Sequence, residues 1–253
     1  MSLNFENQGV PIAIVKNSKS KKTPIISVDD KEEARHQYPS FELQGNECFQ
    51  VIPNPEQERT ITYITGQSGS GKSYWAKMYC DEYKRMYPKR EIYLFSSLKD
   101  DKGSIDQIKN LKRIKLNKEL LDDDLTAEDF EKSMVIFDDC DCLTDKKMKN
   151  KVQGIFNSIA ETGRHFSVSC IYTSHLPCKG NETKTILNES HNIVFFPSTL
   201  GGRSLKYLLD SYLGLDKKQI EKVKNLKSRW VCICKTFPQV IISEKDALIT
   251  KSI

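Results

Sequence analysis

A chain of 253 residues, 38% hydrophobic and 29% charged, can bury one good core with room for a small appendage. Its apolar runs are too short to cross a bilayer, and Met-Ser-Leu-Asn-Phe-Glu-Asn at the start lacks the charged and apolar regions of a signal peptide. Both features predict no membrane span and a cytosol-like place of work. The net charge of +5 is mild, so its distribution says more than its size. Eight cysteines include no C-x-x-C pair. Cys140/Cys142 and Cys232/Cys234 lie in or beside apolar runs, and the expectation is reduced, mostly buried thiols and no zinc site.

Residues 1–57 carry three β-branched runs, Val10–Val15, Pro24–Val28 and Phe41–Ile52. They read as a short β-rich N-terminal lead-in, too small to bury its own core. Pro53-Asn54-Pro55 makes a rigid turn into the first core strand, Arg59–Thr65. The next stretch, Gly66-Gln67-Ser68-Gly69-Ser70-Gly71-Lys72-Ser73, satisfies G-x-x-x-x-G-K-[ST] at every required position. Trp75, Met78, Tyr79, Tyr83 and Met86 then recur at helical spacing. Strand, glycine loop and helix form the context in which backbone N–H groups curl round a phosphate at a helix N-terminus. Gly66 to Ser73, with Tyr74 beside them, are the expected nucleotide-binding residues. Lys72 would reach the β- and γ-phosphates of ATP, and Ser73 would hold Mg²⁺.

A second strand is expected over Glu91–Phe95, then a polar surface excursion from Ser96 to Lys118, then a short helix from Thr126 with Asp129 as its capping partner. Ser133–Asp139 holds four consecutive apolar residues ending in two carboxylates. That pattern suits a central parallel strand whose C-terminal tip faces ligand. Asp138 would join the Mg²⁺ shell, and Asp139 would orient or deprotonate the attacking water. An amphipathic helix follows, with Met148, Val152, Ile155, Phe156 and Ile159 on its apolar stripe. Thr162-Gly163-Arg164-His165 then turns into a strand over Phe166–Thr173. At the tip of that strand Ser174-His175 is placed to sense the γ-phosphate. Arg164, at the opposite end, could face a neighbouring subunit's nucleotide. His191–Phe196 is a fifth strand, two helices follow, and Arg229–Lys235 with Gln239–Ser243 reads as a β-hairpin. Two lysine-rich stretches, Lys109 to Lys118 and Lys146 to Lys151, would suit phosphate backbones.

Taken in order, the phosphate loop, Ser133–Asp139, Thr162–His165, Ser174-His175, Ile186–Glu189, Tyr212–Asp216 and Ser228-Arg229-Trp230-Val231 resemble the virion-packaging ATPases of large nucleocytoplasmic DNA viruses. These are a branch of the FtsK–HerA superfamily of DNA motors. The resemblance runs from about Thr60 to Ser243. It implies an α/β fold: a RecA-like P-loop NTPase core (58–253) with a central, mainly parallel sheet and a C-terminal β-hairpin, preceded by the extension (1–57). It implies an ATPase that assembles as a hexameric ring and drives double-stranded DNA into a preformed capsid. Its further partner would be a capsid or portal component, and its place the viral factory of the host cytoplasm or the virion. Lys72, Ser73, Asp138 and Asp139 carry over by motif, and Arg164 matches an arginine that completes a neighbour's site in such rings. Asp138-Asp139 departs from the commoner Asp-Glu, and Ser174-His175 stands where Gln is usual. Rival expectations are a nucleotide-bound assembly factor with little hydrolysis, and a small-molecule phosphotransferase. The paired carboxylates and the lack of an arginine-rich lid speak against the latter.

Overall fold

The computed structural model describes residues 2–30, 41–98 and 103–250. The chain forms two compact units, Gln57–Ser190 and the combination of Met1–Glu56 with His191–Ile253. In the N-terminal segment lie β1 (Ser2–Asn4), β2 (Val10–Lys16), β3 (Ile25–Asp29), β4 (Phe41–Glu42) and β5 (Cys48–Val51). β1, β3, β2 and β5 make one antiparallel sheet in that order. The run over Phe41–Ile52, apolar enough for one strand, is split in two. Gly45 sits at φ 56°, turning the chain so that only β5 pairs with β2.

The unit Gln57–Ser190 follows the expected strand and helix alternation. It contains β6 (Ile61–Thr65), α1 (Lys72–Met86), β7 (Ile92–Ser96), β8 (Leu111–Arg113), α2 (Lys118–Asp122), β9 (Met134–Asp138), α3 (Lys146–Thr162), β10 (Ser169–Ser174) and α4 (Asn181–Glu189). Its strands run in the order β6-β10-β9-β7-β8, every neighbouring pair parallel. All residues of β6, β9 and β10 are buried, as a sheet covered on both faces requires. Phe156 of α3 meets Phe137 edge-on at 5.5 Å and Tyr172 at 4.8 Å, fixing that helix on β9 and β10. Asp145 caps α3 by accepting from the N–H groups of Lys147 and Met148. At the other end the Arg59 guanidinium donates to the carbonyls of Ile159 and Ala160, satisfying carbonyls that a helix end leaves unpaired.

Two expectations change. The polar excursion is not all loop, because β8 extends the parallel sheet beyond β7. Its alternating charge hides an edge strand with only one neighbour to satisfy. The helix expected at Thr126 is a single tight turn, Glu128–Phe130. The Asp129 carboxylate does accept from the Thr126 N–H at 2.8 Å, but Lys132 at φ 51° ends the turn and leads into β9.

In the last segment come β11 (Asn192–Phe195), α5 (Gly202–Tyr207) continuing into a π-helical turn (Leu208–Tyr212), α6 (Lys217–Asn225), β12 (Val231–Cys234), β13 (Val240–Ser243) and β14 (Asp246–Ile249). The expected hairpin of β12 and β13 gains a third strand, and β4, β14, β13, β12 and β11 pair antiparallel in that order. Cys232 and Cys234 are buried free thiols 3.9 Å apart. Burial pushes the Cys232 thiol well up, so it stays protonated.

Candidate active site

The loop from β6 to α1 is shaped by backbone that only glycine adopts readily. Gly69 lies at φ 75° and Gly71 at φ 112°, where an L side chain costs about 1–2 kcal/mol. A Cβ on Gly69 would meet nothing within 4 Å, so the backbone angle alone demands glycine there. The Gly66 N–H donates to the Ser174 carbonyl at 3.1 Å, tying the loop to the tip of β10. No acidic residue stands in the first turn of α1, which leaves its N-terminal N–H groups and dipole to an anion. The Ser70 hydroxyl is buried without a partner among the described residues. Such an orphaned donor fits a phosphate oxygen.

Lys72 is only 5% exposed. Its Nζ donates to the Gly66 carbonyl at 3.0 Å and lies 3.6 Å from Asp139 Oδ1 and 3.4 Å from His175 Nδ1. At the tip of β9, Asp138 Oδ1 accepts from Thr173 Oγ1 at 2.9 Å and Oδ2 from Ser96 Oγ at 3.4 Å. Asp139 adopts φ 48°, unusual for a residue with a Cβ. Its N–H donates to Thr173 Oγ1 at 2.9 Å, and its Oδ2 lies 3.1 Å from His175 Nε2. Burial, and then the neighbouring Asp139 charge, push the Asp138 carboxyl up to about 6. The Thr173 hydroxyl, the Lys72 ammonium and the Ser96 hydroxyl oppose that rise.

Of the residues singled out from sequence, Lys72, Asp139 and His175 are therefore in mutual contact, and Asp138 joins them through the Thr173 hydroxyl. Ser174 is used otherwise: its hydroxyl is 2.9 Å from Asp141 Oδ2 and 3.0 Å from the Leu176 carbonyl, which fixes the turn that presents His175. Tyr63 pins the same turn, donating to the Leu176 carbonyl at 2.8 Å. Tyr74 is 61% exposed. Arg164 is outside the cluster, in the turn before β10, and pairs at 2.6 Å with exposed Glu58.

Ser73 and Asp138 line one cleft of about 180 Å³, together with Ser96, Asp106 and Arg113. A hydroxyl and a carboxylate facing one space are hard oxygen donors that suit Mg²⁺, an ion that keeps several waters and takes its other ligands from substrate phosphates. The residues fit the ion; it would neutralise charge developing on the β- and γ-oxygens.

Sequence reasoning missed Thr173 and Ser96. Both are hydroxyls at strand tips on the ligand side of the sheet, which was the available signal. Thr173 touches both carboxylates: its Oγ1 accepts from the Asp139 N–H and lies 2.9 Å from Asp138 Oδ1 and 3.2 Å from Asp139 Oδ1, with one proton to donate to either. Thr173→Val keeps the shape and deletes the hydroxyl. Hydrolysis in the variant is expected to fall roughly 10²-fold in kcat, the scale of a small misplacement of catalytic groups. The KM for ATP should barely move, and Thr173→Ser should restore the rate. Equal rates for the valine and wild-type proteins in a coupled ATPase assay would exclude this positioning role.

No family model matches the sequence. The chain is 37% identical over 248 residues to the uncharacterized protein V3 of the Sputnik virophage, covering 97% of each. Among solved structures, the DNA-packaging ATPase B204 of Sulfolobus Turreted Icosahedral Virus superposes with a TM-score of 0.50 at 17% identity, over 75% of this chain and 98% of that one. The conjugation coupling protein TcpA of pCW3, determined with ATPγS, gives a TM-score of 0.50 at 14% identity, over 96% of this chain and 78% of that one. Fold and site together define a P-loop nucleotide-binding protein: these solved structures share the fold, and the glycine loop with its left-handed turns supplies the phosphate cradle. The chain belongs to the family of the Sputnik virophage protein V3.

Proposed function

We propose that the chain is an Mg²⁺-dependent ATPase of the FtsK–HerA superfamily that translocates double-stranded DNA into a viral capsid during virion assembly, working as a homo-oligomeric ring, a hexamer, docked on a capsid or portal component. The observation that carries the reading is the paired Asp138-Asp139 tip held against Lys72, on a fold shared with a protein named as a DNA-packaging ATPase. Two carboxylates facing the phosphate loop favour water as the acceptor. In this reading the loop N–H groups and Lys72 grip the phosphates, and Asp139 orients the attacking water and takes its proton. His175 keeps Asp139 in register and senses the γ-phosphate. No helix among the described residues is long and apolar enough to cross a membrane, and we place the motor in the viral factory and on the assembling virion.

Steady-state ATP hydrolysis with and without duplex DNA tests this. DNA should raise the rate, and capsid components should raise it further. Tight ATP binding with slow hydrolysis, indifferent to both, would instead make the protein an assembly factor.

Arg164 supplies a test of the ring. Its partner Glu58 is 58% exposed, so the ion pair contributes little and can open for a neighbour's nucleotide. Arg164→Ala should leave monomer stability unchanged and lower assembly-dependent hydrolysis by about 10³-fold, the scale of an arginine supplied in trans. Undiminished hydrolysis in assembled Arg164→Ala protein would exclude the role.

A further inference from the structure

A broad stretch of uncompensated positive charge lies outside both lysine runs noted from sequence. Between residues 202 and 229 stand eight Lys and Arg against three Asp and Glu, a local net charge of +5 that equals that of the entire chain. All eight cations are exposed, and no ion pair engages any of them among the described residues. The earlier runs are partly spent within the protein. Lys112 lies 3.5 Å from Glu91, Arg113 pairs with Asp106, and Lys151 donates to the Asp123 carbonyl beside Asp124.

The scaffold beneath this face is firm. α6 buries Ile220 and Val223 and starts with a complete capping box of Asp216 and Gln219. Gln219 also donates to the Thr250 carbonyl at 2.7 Å, and the helix packs against the π-helical turn after α5. Lys217, Lys218, Lys222 and Lys224 therefore stand on the solvent side of a fixed helix. Tyr207, 53% exposed, meets Tyr212 edge-on at 5.7 Å on the preceding element.

We propose that the α5–α6 face (203–229) binds the phosphate backbone of duplex DNA. This rests on the reading of the protein as a DNA motor and names the surface it would use. A row of unpaired lysines releases counterions on meeting phosphates and reads no sequence. A translocating motor needs contacts of that kind, because it must grip and release every base pair alike.

The test is binding of a fluorescent duplex of arbitrary sequence to the full chain across a salt series. K218Q/K222Q/K224Q removes three charges with little change in helix propensity. If those lysines touch phosphates, the log–log salt slope should become shallower by about 2 to 3, with affinity at 50 mM salt down at least 10-fold. R203Q/K206Q on α5 should act in the same direction, and it carries the test if thermal melting shows the triple variant misfolded. ATP hydrolysis without DNA should match wild type in both, and K146Q/K147Q should leave DNA binding unchanged. Wild-type binding with both face variants unaffected would overturn the surface and leave the motor standing. A wild-type protein that hydrolyses ATP but binds no duplex would overturn the motor reading, and the surface with it.

Discussion

Lys72→Ala is expected to lower ATP hydrolysis by about 10²–10³-fold, the loss seen when one preorganised donor to a developing anion is removed. Lys72 is buried and held by the Gly66 carbonyl with Asp139 and His175 in contact, so its ammonium is aimed before the phosphate arrives and needs little reorganisation. Removing it also withdraws a positive charge that holds down the Asp138 carboxyl, which should then titrate higher than about 6. Activity lost through phosphate contact and activity lost through the carboxylates separate by pH. The first stays lost at every pH, whereas the second recovers above neutrality. Lys72→Arg should not rescue, because a planar guanidinium cannot take the place of a compact ammonium between the Gly66 and Gln67 carbonyls and the Asp139 carboxylate. Hydrolysis within twofold of wild type would mean that Lys72 is not the phosphate grip.

What could be read from the sequence, and what could not, follows from the range of the interactions involved. The phosphate loop was legible because its glycines answer to local backbone angles, and those angles, φ 75° and 112°, are present. β9 was legible because burial on both faces leaves a continuous apolar run. β8 was not. Leu-Lys-Arg at a sheet edge carries no period of its own and is a strand only because β7 offers it backbone partners. Thr173 was passed over for a similar reason. It ends an apolar strand like any β-branched residue, and its function depends on a neighbouring strand bringing two carboxylates within 3.2 Å. The positive face on α5 and α6 is not legible as a motif, because its cations are spread over 27 residues. Denser runs stand elsewhere in the chain, and folding pairs Lys112, Arg113 and Lys151 of those runs with acids.

Asp138→Asn is expected to raise thermal stability while abolishing hydrolysis. Asp138 is 6% exposed, and its carboxyl is pushed up to about 6 from an ordinary 3.8. The folded state thus holds a proton there more tightly than the unfolded chain does. That preference stabilises the fold fully below about pH 4 and is lost as pH rises through 6. Above pH 7 the ionised carboxylate costs the fold on the order of 2–3 kcal/mol, since each tenfold change in proton affinity between the two states is worth about 1.36 kcal/mol. Asparagine keeps an acceptor for the Thr173 hydroxyl and carries no charge to bury. At pH 7.5 the variant should melt higher than wild type by roughly 5 °C, given about 2–4 °C per kcal/mol for a chain of this size. Near pH 4.5 most of that gap should close. Mg²⁺ with ATP should stabilise wild type far more than the variant, because the ion offsets the buried charge only where the charge exists. A variant that melts lower than wild type at pH 7.5, without added ligand, would show that the Asp138 charge stabilises the fold through Thr173, Ser96 and Lys72. The site would then be built for structure as much as for chemistry.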